Sequence, residues 1–261
     1  MRVRRLPRGH EATLVEHVEE LRQRVFVAIG AIAIGTVAAF LVHDRILDAL
    51  ARPLPPAHRH LVTFGVAEPL SVSLSVSLYA GVVLASPVIL WQAWSFFAPA
   101  LDPGAERRIL GFAAFGAVLA AAGLAFGYGV LLPRAVEWLT NFDAGNFHAL
   151  IRASSYFSFV TSVLVGVAGM FELPFVVLAA VSLGILRSSA LRRNRRVGYV
   201  IVASIALALP GPDPVTTVLE LLPMWALFEG SIWLAVLFER RQAAAASFQR
   251  VAAPAAADGD R

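Results

Sequence analysis

The residues of this chain best placed to do chemistry are glutamates set in or beside long apolar runs. Glu172 is the sharpest case, the single charge among the thirty-four residues between Arg152 and Arg187. A run this apolar is long enough to cross a bilayer, and an ionisable group near its centre costs roughly 2.5–3.5 kcal/mol on insertion scales. Two residues on, Pro174 removes its own N–H from the helix ladder and leaves the carbonyl of Met170 without its usual partner, so acid and weakened backbone share one turn. A polar break in a membrane helix marks function. Glu229 lies well inside another apolar run, with Trp225 and Trp233 around it. It reads either as a satisfied interhelical hydrogen bond or as a functional acid.

A second group of acids stands near the chain start. Leu14, Val18, Leu21 and Val25 recur at the spacing of one helical face, and Glu16, Glu19, Glu20 and Gln23 project from the other side. The pattern predicts an amphipathic segment along the membrane interface with its acids turned to water. An anchor helix with a solvated face would look the same, yet three glutamates here sit in a zone otherwise filled with arginine. Further on, the Pro- and Gly-rich turn Pro99 to Gly104 leads into Glu106-Arg107-Arg108 at the start of an apolar run. By itself Glu106 reads as an acid favoured at a helix N-terminus, worth about 0.3–1 kcal/mol. Together, Glu20 and Glu106 would put carboxylates on one surface that selects cations. Arginine suits them best, because a guanidinium engages a carboxylate through two parallel hydrogen bonds. That reading needs both acids open to the cell interior rather than held by internal arginines.

The elements that position these acids are membrane spans. With 58% hydrophobic residues and a mean hydropathy of +0.70, the chain has lipid as its natural solvent. Six apolar runs appear, about 25–42, 70–97, 109–132, 156–186, 197–209 and 218–238, in a membrane domain over 1–241. The fifth holds thirteen residues, about 20 Å of helix against a hydrocarbon core of about 30 Å, so it borrows flanking residues or thins the bilayer. The sixth is interrupted by Glu220, Pro223 and Glu229. Every positive charge is arginine, and six spans with the N-terminus inside place seventeen of the twenty-two on the inner side. This bias predicts both termini in the cytoplasm, and it accounts for the pI near 10.3 without nucleic-acid binding. The basic start is followed by the charged stretch Glu16 to Arg24 and is not read as a cleaved signal peptide. Residues 242–261 are expected to be frayed or disordered. The loop from His43 to Pro69 is long enough to fold as a cap on the outer face.

Other chemistry finds little support. Cysteine is absent, which excludes disulfides and thiolate chemistry. His58 and His60, two apart and without a third ligand, make a poor metal pair. The span serines (Ser71, Ser73, Ser75, Ser77, Ser158, Ser162) have no in-span His or Lys to act as base for an intramembrane hydrolase. A proton-coupled small-solute transporter relaying through Glu172 and Glu229 is the alternative function.

In this order, the motifs resemble the TatC family, the multispanning component of the twin-arginine protein translocase, from about Leu14 to Arg240. His17-Val18-Glu19-Glu20-Leu21-Arg22-Gln23-Arg24 is similar to the family's N-terminal signature. Ser86 to Pro99 with Glu106-Arg107-Arg108 is similar to its loop block, Phe171-Glu172-Leu173-Pro174 to its fourth-span element, and Pro212-Asp213-Pro214 with Pro223 and Phe228-Glu229 to its last hairpin. The resemblance implies an all-α, concave, glove-like bundle of six transmembrane helices, N-in and C-in, in the cytoplasmic membrane, with no enzymatic activity and no cofactor. It implies that Glu20 and Glu106, with Glu19, Arg22 and Arg107 around them, bind the twin-arginine signal peptides of folded cargo. It further implies docking of TatA and TatB-type single-span subunits near the last hairpin, self-association, contact with membrane lipids, and transport driven by the proton motive force. Glu172 and Glu229 are then the intramembrane polar residues, and Pro53, Phe96, Pro99, Pro174, Asp213, Thr216 and Thr217 are structural or partner-docking positions. Two departures stand out. The loop between Pro99 and Glu106 is one residue longer than is typical. Leu209-Pro210-Gly211-Pro212 stands where the family often has Thr-Pro, which shifts the expected threonine contact to Thr216 and Thr217.

Overall fold

The computed structural model describes residues 14–97, 106–146, 150–208 and 214–257, and among these every regular element is helical. The opening helix α1 (Leu14–Phe40) is unbroken. The amphipathic N-terminal segment is therefore the first two turns of the first span, not a separate helix lying along the interface. Between Leu14 and Gly30 the sequence has no Gly or Pro, and its Glu, Leu, Arg and Gln residues are good helix formers. Helix α2 (His43–Ala51) and a 3-10 turn (Pro56–His58) follow, then α3 (Glu68–Phe97).

The third apolar run forms α4 (Glu106–Phe126), a π turn over Gly127–Leu131, and α5 (Leu132–Asn141). Pro133 explains the irregularity, since it can neither donate to the ladder nor sit against the carbonyl four residues back without a clash. The fourth run is likewise divided, into α6 (Ala153–Phe171) and α7 (Leu173–Ser182). The short α8 (Ser188–Arg193) leads to α9 (Arg195–Leu207) and α10 (Pro214–Ala257). Neither Pro223 nor the two glutamates interrupts α10. It also continues through the alanine-rich stretch after Arg241 that was expected to be frayed, in keeping with the high helix propensity of alanine.

Five of these segments are long and apolar enough to cross a membrane: Val18–Phe40, Glu68–Phe96, Gly111–Asn141, Ala153–Ser182 and Pro214–Arg241. With thirteen residues, α9 falls short of them. The chain is thus a multi-pass membrane protein.

Packing is organised by three clusters of buried side chains, one of which joins Met170 to Val202 and Ala206 of α9 and Met224, Phe228 and Ile232 of α10. At the end of the bundle away from Glu20, Leu50, Leu54, Val76, Leu131, Leu132, Val136 and Val160 form the largest cluster, with Leu131, Leu132 and Val160 wholly enclosed. The loop from His43 to Pro69 does cap this end. Tyr128 and Tyr156 donate hydroxyl hydrogen bonds to the carbonyls of Ala49 and Leu50, at 2.8 and 2.7 Å. Val62 exchanges backbone hydrogen bonds with Ile151 and Ala153 at 3.0 and 2.9 Å. Pro53 turns the chain between α2 and the 3-10 turn, half-buried beside fully buried Leu54.

At the other end, Trp94 of α3 stacks on Phe112 of α4 with ring centroids 3.8 Å apart and meets the edge of Phe175 of α7 at 6.0 Å. Phe112 in turn meets Phe238 of α10 edge-on at 6.3 Å. This aromatic knot fixes the end of α3 and the start of α4 between which the Glu106 loop hangs. Helix α1 packs chiefly along α3, where Gly35 and Gly81 let the two backbones touch. Small residues at such a crossing are the usual device of membrane helix association.

Candidate functional site

The N-terminal carboxylates come to lie on one turn of α1 in two different settings. Glu19 is 48% exposed and pairs with Arg22, 66% exposed, at 3.3 Å. Glu20, one residue on and turned by about 100°, faces the α3 side and is only 7% exposed. Its Oε1 accepts hydrogen bonds from Nε of Arg24, at 3.1 Å, and from Nη2 of the same guanidinium. The third nitrogen, Nη1, donates to Oε1 of Gln92 on α3 at 3.4 Å. The expectation of acids turned to water thus holds for Glu19 and fails for Glu20, which is covered by an internal arginine. Arg24 and Gln92 are site residues that the sequence analysis passed over. The four-residue step from Glu20 to Arg24 on one helix face was the signal for the first.

Glu106 opens α4, but its side chain and that of Arg107 lie outside the described residues, as do Pro99 and Asp213. The structure therefore leaves the Glu20–Glu106 separation unmeasured. Phe96 is half-buried in the last turn of α3 beside the aromatic knot. Thr216 is buried within the chain at the start of α10, and Thr217 next to it is half-buried.

Glu172 occupies the break itself. With φ −74° and ψ −2° it ends α6, its N–H reaching Gly169 at 3.2 Å, and buried Pro174 sits in the first turn of α7. Both carboxylate oxygens are buried without a hydrogen-bond partner among the described residues. They rest against α4 at Gly116, where a Cβ would stand 3.2 Å from Oε2 and 2.7 Å from Leu90 of α3. The compensation that the sequence demanded for this acid is thus not found within the described part of the chain.

Glu229 differs. Oε1 accepts the Tyr199 hydroxyl and Oε2 stands 3.5 Å from Nη2 of Arg195, both on α9. It is a satisfied interhelical contact near the first turn of α9. Glu172 and Glu229 therefore engage different helices.

A further ion pair, unforeseen in sequence, closes the capped end. Glu68, at the start of α3, accepts Nε and Nη2 of Arg152 at 2.8 and 3.1 Å, and the N–H groups of Phe64 and Ser154 at 2.8 and 3.3 Å. The Glu68 carboxylate pushes the Arg152 guanidinium above its ordinary value, chiefly through their hydrogen bonds. The Arg152 guanidinium also lies 5.6 Å from the centre of the Phe64 ring, within cation–π range.

Comparison with known proteins places the arrangement. The family described as Sec-independent protein translocase protein (TatC) matches residues 16–223. The chain is 33% identical over 231 residues to the Sec-independent protein translocase protein TatC of Carboxydothermus hydrogenoformans, covering 88% of this chain and 95% of that one. It is 33% identical to the chloroplastic TATC protein of Arabidopsis thaliana, covering 90% and 69% respectively. A crystal structure of a twin arginine translocase receptor, TatC, in DDM superposes with a TM-score of 0.75 at 31% identity, covering 84% of this chain and 99% of that chain.

Proposed function

The chain belongs to the TatC family, and from that premise we propose that the Glu20 end of α1 receives the twin-arginine signal peptides of folded cargo. Its role is that of a core subunit of the Tat translocase, working with other Tat components in protein transport. Glu20 is not open as the sequence reading required, being covered by internal Arg24, so a peptide reaches it only once Arg24 moves aside. What supports the site is that this carboxylate accommodates a guanidinium, through two N–H groups converging on one carboxylate oxygen. Such a side-on contact suits arginine and not lysine, whose ammonium lacks the planar fork. Exposed Glu19 and Arg22 flank the entry, and Glu106 with Arg107 supplies the second carboxylate from the start of α4.

The arginine distribution supports six crossings, with α9 as a short sixth and both termini in the cytoplasm. Five crossings would put the two arginine-rich ends on opposite sides. The receptor sits in the cytoplasmic membrane, acts without catalysis, and draws on the proton motive force of its pathway. TatA and TatB-type single-span subunits dock along the last hairpin, at Asp213 and half-buried Thr217, while buried Thr216 holds the start of α10 in place, and copies of the chain self-associate. Glu172, at the break between α6 and α7, either anchors a polar contact or perturbs the bilayer locally.

The test is photo-cross-linking of a twin-arginine peptide to the purified protein. Glu20→Gln and Glu106→Gln each remove a charge-assisted pair of about 1.5–3 kcal/mol, and so lower peptide affinity roughly ten- to hundredfold while the protein still inserts in membranes. Undiminished cross-linking in both variants overturns the proposal.

A further inference from the structure

We propose that Arg24 is the resident occupant of the Glu20 site and that peptide binding is an exchange, in which an arginine of the signal peptide evicts it. The inference rests on the reading of Glu20 as the peptide site, and it makes Arg24 the residue that sets the threshold affinity of that site. Helix α1 carries two Glu–Arg pairs one residue apart, which differ in exactness of enclosure rather than in chemistry. Glu19 and Arg22 are open to solvent on both sides. Glu20 and Arg24 are 7% and 9% exposed, and all three guanidinium nitrogens of Arg24 are engaged, two by Glu20 and one by Gln92.

A third charge cannot simply be added to that enclosure. Two guanidinium groups on one buried carboxylate would leave a net positive charge away from water, which burial penalises. Exchange avoids the difficulty, since one guanidinium takes the place of another and the carboxylate is never left buried and unpaired. The Nη1 contact to Gln92, at 3.4 Å, is the longest of the three and the first to give way. Once released, Arg24 lies one turn along the same face as Glu20, close enough to swing out and return when the peptide leaves.

Competition sets the threshold. Arg24 is tethered one turn from its acceptor, so its effective concentration there is at least millimolar. A ligand has to match the side-on contact to displace it, which a lysine does not. A lone arginine only equals the resident one, whereas an arginine pair places one group on Glu20 and the other on the second carboxylate, Glu106. The resident arginine thus sets a threshold, common to every ligand of Glu20, that a pair engaging both acids overcomes.

The experiment uses the full-length protein in detergent with fluorescent twin-arginine and twin-lysine peptides. Removing the competitor in Arg24→Gln is expected to tighten twin-arginine and twin-lysine binding by one common factor of roughly tenfold, with the preference for arginine kept. Glu20→Gln weakens binding in the same assay. If Glu20→Gln binds as well as wild type, the site reading fails and the exchange with it. If Glu20→Gln is weakened but Arg24→Gln, folded by circular dichroism, binds the twin-arginine peptide no better than wild type, the exchange alone is wrong. Wild-type protein gives an independent measure that requires no substitution. Phenylglyoxal labelling of Arg24, followed by mass spectrometry, accelerates when the twin-arginine peptide is bound, and an unchanged or slower rate refutes eviction.

Discussion

Replacing Gly81 by alanine drives a methyl group into the backbone of α1. A Cβ built at Gly81 stands 2.5 Å from the amide nitrogen of Thr36 and 2.8 Å from its Cα, and one built at Gly35 stands 2.8 Å from the Gly81 carbonyl oxygen. Carbon atoms prefer neighbours at about 3.5–4.0 Å, so α1 and α3 must part by about 1 Å. The Thr36 Oγ1 is nearer still and can rotate away, but the backbone nitrogen and Cα behind it cannot. Overpacking of this kind costs about 1–3 kcal/mol. The displacement also reaches the site, because Arg24 lies about 16 Å along α1 from Gly35 and its bond to Gln92 of α3 is already 3.4 Å long. Another 1 Å takes that bond out of range. The assay is thermal unfolding in detergent alongside twin-arginine peptide binding. Gly81→Ala is expected to lower the melting temperature and alter affinity, and Gly81→Val to do more. Gly30, on the same helix with nothing within 4 Å of a built Cβ, is the control. Gly30→Ala should be neutral or stabilising by up to about 1 kcal/mol. A Gly81→Ala protein that melts at or above wild type refutes the reasoning.

Two further predictions concern the capped end. Leu131→Ala, at a fully enclosed position beside the π turn, should destabilise by about 2–5 kcal/mol, whereas Leu74→Ala on an exposed face should stay within about 0.5 kcal/mol. Equal shifts in unfolding midpoint would show that the cluster is not the structural core. Glu68→Gln removes the charge shared by Arg152, Phe64 and Ser154. Hydrogen exchange should quicken at the Phe64 and Ser154 amides while the α1–α3 crossing keeps its protection, and unchanged exchange at both amides would refute the role given to this pair.

The break at Glu172 was legible because proline acts on its own helix, through a donor it lacks and a carbonyl it crowds. The π turn before Pro133 has the same cause. The helix itself was legible from the N-terminal spacing, but periodicity describes a helix in isolation. It could not tell that α3 would come to lie against the side bearing Glu20, so an acid expected in water became a buried one. Glu229 was left between two roles until Tyr199 and Arg195 were found on it, since both belong to a neighbouring helix. The continuation of α10 past Arg241 was missed because composition was read as disorder where alanine favours helix.

By itself, the sequence determined that this is a multi-pass helical membrane protein with acids at defined helix positions, and its ordered motifs identified the family. These properties depend on hydropathy, local backbone chemistry and residue order along one chain. Only the tertiary structure decided which acids are paired. Glu20 meets Arg24 under the cover of α3, Glu68 reaches Arg152 across eighty-four positions of chain, and Glu172 is left without a partner beside Gly116. The reason is physical: a charge is stabilised or exposed by whatever packs against it, and that neighbour is set by helix crossings such as Gly35 on Gly81, which no local pattern records.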